Sequence, residues 1–343
     1  MLRTRREGLA VRVRGRSIAV GGVAAVALLA VMMLTLTTGE FELSVDEVLL
    51  SVLGQGDGAA DFIVNTLRLP RLLTAVLVGA ALAASGAILQ SLTRNPLGSP
   101  DIIGFTNGAS TGALLVIIVV GGSMVEVSLG ALAGAVTAAL LIYLLAFTRG
   151  AQGLRFVLMG IGINALAVAL NSYLITRANL HDALTAQSWL VGSVNSRGWE
   201  HVTAAALALA VLLPLALYHA RPLAMMELGE DSAKALGVNV PRSRAALILA
   251  SVLLAAVATA AAGPITFVAL AAPQLARTLT RSPAPGLVTS ALVGALLLAA
   301  GDYAVQQLFP ASQLPVGTAT GCIGGLYLIW LLASEWRGKG RYT

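Results

Sequence analysis

The chain has 343 residues, of which 57% are hydrophobic and 11% charged, with a mean hydropathy of +0.85. Charged residues normally approach a quarter of a soluble domain, so this composition excludes one and makes lipid the solvent. A spanning helix takes about 20 mostly apolar residues, so the length holds roughly ten spans and no ATPase or catalytic domain beside them.

The net charge of +6 comes from arginines clustered beside apolar ends. No basic stripe with interleaved aromatics exists, which argues against nucleic acid and makes the charge a topology signal. Arg3, Arg5, Arg6, Arg12, Arg14 and Arg16 precede the first apolar run, 18–36. That run is longer than the core of a signal peptide, so it reads as an uncleaved first span behind a basic cytoplasmic N-terminus, 1–17.

The loop 37–65 follows on the outer side and is acidic, with Glu40, Glu42, Asp46, Glu47, Asp57 and Asp61. Ser44 and Glu47 have the spacing of a capping box before Val48, Leu49, Leu50, Val52 and Leu53, which predicts a short amphipathic surface helix. The glycine-rich stretch 54–60 reads as the flexible turn that ends it.

Further spans are expected at 72–92, 106–120, 127–147, 156–175, 202–217, 245–262, 265–279, 287–308 and 316–332. With ten spans starting inside, both termini are cytoplasmic. Of the 22 Lys and Arg residues, only Arg68, Arg71, Arg177 and Arg197 then lie outside. Dropping one span would scatter the later cations, so the charge sorting checks the count.

Between the sixth and seventh spans, the cytoplasmic loop 225–240 carries a predicted short helix from Asp231 to Leu236, acidic at its start and ended by Gly237. It reads either as a projection that lodges in a groove on another protein or as a capped connection. Gly263-Pro264 separates two short apolar runs and reads as a broken or re-entrant helix, tolerated where protein or a water-filled cavity satisfies the freed backbone.

Glycines four apart, at Gly104, Gly108 and Gly112, at Gly130 and Gly134, and at Gly317, Gly321 and Gly325, predict close helix packing. Gln90, Asn107, Asn164 and Asn171 are the polar side chains expected to meet a translocation path. Asp302, costly deep in lipid, is expected to face the bundle or the outer mouth, as a path residue or in an interhelical hydrogen bond.

No P-loop is present, so energy from ATP must come from a partner. His181, His201 and His219 are isolated, no metal site is expected, and the single Cys322 excludes a disulfide within the chain.

Several motifs in one order carry a resemblance: Arg68-Leu-Pro-Arg71, the small-residue run 79–86, Gln90, Arg94-Asn-Pro-Leu97 with Pro100, the stretch 229–237, and Gly263 to Phe267. Pro273, Arg277, Asp302 and Leu314-Pro-Val-Gly317 complete the set. From about residue 67 to 332 the chain resembles the FecCD-type permeases of the iron-siderophore and vitamin B12 ABC importers. It is most similar to a ferric-enterobactin permease subunit.

The resemblance implies an all-α, single-domain (1–343) permease of type II ABC importer architecture in the cytoplasmic membrane. It implies a second permease subunit, two ATPase subunits that bind ATP and Mg, and an extracytoplasmic binding protein, with no cofactor or catalytic residue on this chain. Leu228, Gly229, Glu230, Asp231, Ala233, Leu236 and Gly237 match the part gripped by the ATPase. Arg68 and Arg71 match arginines that meet carboxylates of the binding protein. A third arginine of the B12 permease is replaced by Gln306, which implies either a different binding-protein footprint or a nonidentical partner permease that supplies the missing charge, and the heterodimer is favoured.

The expected substrate is a ferric siderophore, catecholate or enterobactin-like. Haem or a cobalamin-type ligand, an ion-coupled secondary transporter, and a membrane scaffold that moves nothing remain open alternatives.

Overall fold

The computed structural model describes residues 15–146, 153–282, 286–309 and 314–339. Arg3 to Arg14, Arg149 and Arg341 lie outside them.

The described residues are helical, with no strand. The first span is α1 (Gly15–Thr37). It is followed by α2 (Val45–Val52), α3 (Gly58–Asp61), a π-helical segment (Phe62–Arg68) and α4 (Leu69–Thr93). Next come α5 (Pro100–Ile103), α6 (Phe105–Leu115) with a π-helical end (Val116–Val120), α7 (Met124–Ala146) and α8 (Gly153–Arg177). The middle of the chain forms α9 (Leu180–Leu190), α10 (Trp199–Tyr218), α11 (Ala220–Glu227) and α12 (Glu230–Ala235). The remainder forms α13 (Val240–Ala262), α14 (Val268–Thr280), α15 (Leu287–Leu308) and α16 (Val316–Lys339).

Ten of these helices coincide with the ten expected spans. Among the described residues, seven are long and apolar enough to cross a membrane, and 105–120 forms a shorter apolar helix. The chain is a multi-pass membrane protein.

α4 is the hub of the bundle, packed against α13, α14 and α15. Because hydrocarbon drives helices together weakly, close backbone approach and interhelical hydrogen bonds must do this work. Ser85 on α4 and Ser251 on α13 each donate to the other's carbonyl, at 2.8 and 3.1 Å, both fully buried. α6 and α7 meet through the predicted glycines: a Cβ on Gly112 would collide with the Gly130 carbonyl, and one on Gly134 with the Gly108 carbonyl.

The acidic loop is more ordered than a flexible turn. Ser44 and Glu47 form the full capping box on α2, and Asp57 then caps a new helix by accepting the Ala59 N–H at 2.9 Å. That helix runs on through the π-segment into α4, so the turn spans only the few residues before Asp57.

The break after α13 is satisfied by protein. The Ser193 N–H donates to the Ala262 carbonyl at 2.7 Å, and the Gly317 N–H to the Gly192 carbonyl at 3.1 Å. The loop after α9 therefore lies against the break and the start of α16.

Candidate functional site

α12 projects between α11 and α13 as a short capped helix. Gly229 (φ 115°) and Gly237 (φ 82°) bracket it in a backbone region that side chains resist, so the two sharp corners belong to glycine. Ala233 is fully buried and seats the helix, while Leu228 and Leu236 at its two ends are 72% and 60% exposed.

Glu230 pairs with Arg244 of α13, which ties the helix to a long span. Asp231 and Lys234 pair at 3.2 Å in full exposure, a contact that contributes little. Of the seven residues expected here, the structure gathers all into one projection. The helix thus presents one exposed leucine at each of its ends.

At the other end of α4 stand Arg68 and Arg71. Arg68 donates to the Leu36 carbonyl at 2.6 Å and the Phe41 carbonyl at 2.5 Å, pinning the corner between α1 and α2. Arg71 is engaged with Asp302 of α15: Nε donates to Oδ2 at 2.9 Å and Nη2 to Oδ1 at 2.8 Å. This is a bidentate, charge-assisted pair.

Gln306, one turn further along α15, donates to Asp302 Oδ2 at 2.8 Å. Asp302, 2% exposed, thus has its charge matched within the subunit. The residue that stands where the resemblance expects a third arginine therefore serves the same carboxylate.

The polar residues expected along a path fall into two places. Asn107 donates to Asn164 Oδ1 at 2.7 Å, and Asn171 Oδ1 accepts from Thr111 at 2.7 Å, which joins α6 and α8 by a short polar ladder. Gln90 lies apart from them, near α12. Its amide donates to the Leu270 carbonyl at 3.0 Å, and its carbonyl accepts from Gln274 Nε2 at 2.8 Å. Gln274 was not legible as a site residue, since a lone glutamine on an apolar helix carries no motif.

Asp101 is a second site that sequence reading passed over. It accepts from the Thr106 hydroxyl at 2.7 Å and lies close to the Phe267 N–H at the start of α14. Phe267 has φ 68°, a strained value for an aromatic residue.

The arrangement is thus a helical bundle with the short α12 helix at one end and two separately bonded arginines, Arg68 and Arg71, at the other. The chain is 44% identical over 304 residues to the ferric enterobactin transport system permease protein FepG of Escherichia coli (strain K12), covering 89% of this chain and 92% of that protein. It is 36% identical over 311 residues to the iron(3+)-hydroxamate import system permease protein FhuG of Bacillus subtilis (strain 168), covering 88% and 93%.

Among solved structures, a chain assigned to a metal-chelate type ABC transporter in an inward-facing conformation superposes with a TM-score of 0.80. It is 28% identical and covers 92% of this chain and 99% of that one. The profile of the FecCD transport family matches residues 27–334. With nearly its whole length so matched, the chain belongs to the FecCD transport family.

Proposed function

We propose that this chain is the permease subunit of an ATP-driven importer that carries a ferric siderophore, of the catecholate type, across the cytoplasmic membrane. The 44% identity to a ferric enterobactin permease over 89% of the chain carries the substrate reading. The exposed α12 knob supports the coupling reading, because it offers a docking element and the chain holds no P-loop of its own.

In this scheme two ATPase subunits grip α12 from the cytoplasm, bind ATP and Mg, and close on nucleotide. Closure is passed through α12 to α13 by the Glu230–Arg244 pair and reorients the spans. A second, nonidentical permease subunit completes the path, and an extracytoplasmic binding protein delivers the chelate to the end that carries Arg68 and Arg71. Asn107, Asn164 and Asn171 are the side chains assigned to the path. Both termini are cytoplasmic, and this chain carries no cofactor.

An ion-coupled transporter needs an intramembrane acid free to load and release its ion. Asp302 is held instead by Arg71 and Gln306. The test is uptake of radiolabelled iron, offered as a panel of catecholate, hydroxamate and citrate chelates, in cells lacking the chain. Loss of catecholate-borne iron alone, restored by the gene, is expected. Loss confined to a hydroxamate or to cobalamin would reassign the substrate.

A further inference from the structure

Beside the α12 knob, the cytoplasm-directed ends of α4, α11 and α14 converge on a recess of about 290 Å³. Arg94, Arg277, Glu227 and Leu228 contribute to its walls, and Gln90 to its lining. Two cations thus face one anion. Arg277 lies near enough to Glu227 to favour its charged form, while burial of Glu227 acts in the other direction and pushes its carboxyl above the ordinary range. The two guanidiniums form no hydrogen bond or contact ion pair with a described residue, while the backbones of Arg94 and Arg277 are both held in helix ends.

Those ends meet at the glutamine pair. Gln90 precedes Arg94 by one helical turn on α4, and Gln274 precedes Arg277 by three residues on α14. Gln274 bonds both Gln90, at 2.8 Å, and the Pro96 carbonyl, at 3.2 Å. The two helix ends and the loop after Arg94 are therefore fastened together below the recess. Arg94 itself, at φ 51°, forms the left-handed cap of α4.

Two guanidiniums against the one carboxylate of Glu227 leave the recess with excess positive charge that a further anion would relieve. Leu228 is both a wall of the recess and the exposed start of the α12 knob, so a protein seated on α12 covers the mouth.

We propose that this recess is an anion socket that takes an Asp or Glu side chain of the ATPase subunit, held between Arg94 and Arg277 beside α12. The proposal rests on the reading of α12 as the ATPase dock. A carboxylate matches the guanidinium fork, and docking desolvates the pair, so the contact adds specificity and salt-sensitive affinity to the apolar grip of Leu228 and Leu236.

The experiment titrates the purified cognate ATPase onto the permease pair in nanodiscs across a series of NaCl concentrations. R94Q/R277Q is expected to weaken binding about tenfold at low salt and to flatten the salt dependence. E227Q, which removes the competing anion, is expected to bind at least as tightly as wild type. R94K/R277K keeps the charge and is expected to retain the salt dependence, which separates loss of charge from loss of fold. An ATPase variant with an acidic surface residue changed to Arg is expected to lose binding and to regain it on R94E/R277E.

Wild-type affinity and salt dependence in R94Q/R277Q would overturn the socket. So would an unchanged ATPase titration coupled with lost binding of phosphatidylglycerol vesicles, which would assign the recess to a lipid phosphate. L236D separates the two claims. If it abolishes binding while R94Q/R277Q changes nothing, the socket fails and the α12 reading stands. If it binds normally while R94Q/R277Q weakens binding, the α12 reading fails and the socket stands.

Discussion

Asp302 is 2% exposed inside an apolar bundle, so its charge demands a partner, and Arg71 supplies one through two parallel hydrogen bonds. Breaking such a buried pair from one side strands the other charge, which costs about 3 kcal/mol or more. Arg71→Ala is therefore expected to destabilise the bundle by about 3 kcal/mol in a detergent unfolding titration. Because the two residues act as one unit, the Arg71→Ala/Asp302→Ala double variant is expected to lose less than the sum of the single losses. Strict additivity would show that the pair contributes nothing jointly. Both residues were legible as functional candidates, but their pairing across 231 positions was not, since no local pattern on α4 points to α15. The pairing also changes what Arg71 offers a binding protein: its charge is already matched by Asp302, whereas Arg68 is held only by the neutral carbonyls of Leu36 and Phe41.

Elements were legible in proportion to their periodicity. The capping box at Ser44 and Glu47 announced α2 because its chemistry is local. Its charge dependence can be worked out in sign. The Ser44 backbone N–H and hydroxyl both bond the Glu47 carboxylate and hold its pKa below the ordinary 4.5. A lowered folded value means that the cap is at full strength above the ordinary carboxyl range and weakens as pH falls through the folded value. Hydrogen-exchange protection of the first α2 amides is expected to hold down to the ordinary carboxyl range and to drop as pH falls below it in the wild type. Glu47→Gln is expected to show a flat profile there, and an unchanged wild-type profile would deny the cap its charge. α9 and α11 escaped sequence reading because each is short and sits among polar residues between long spans. α9 nonetheless leads into the loop that satisfies the break after α13. The break itself was legible from Gly263-Pro264, whereas Asp101, which lies close to it, carries no signal of its own.

At the scale of the whole molecule, hydropathy was enough to place ten helical segments, and 287–308 coincides with α15 to the residue. The uneven depth of those spans was not legible, because packing against α4 decides which are buried and which face lipid. The site was legible in part. The α12 residues form a single sequence segment and stayed together in space. The recess beside them draws on α4, α11 and α14, and only the fold unites its arginines. The central claim is that the bundle moves its cargo when a partner ATPase acts on α12.

The most direct measurement is accumulation of radiolabelled ferric enterobactin in proteoliposomes that hold this chain with its partner permease, ATPases and binding protein. Accumulation is expected only with hydrolysable ATP inside the coupled system and is expected to vanish in Leu236→Asp. Accumulation driven by an imposed proton or sodium gradient without ATP would contradict the account.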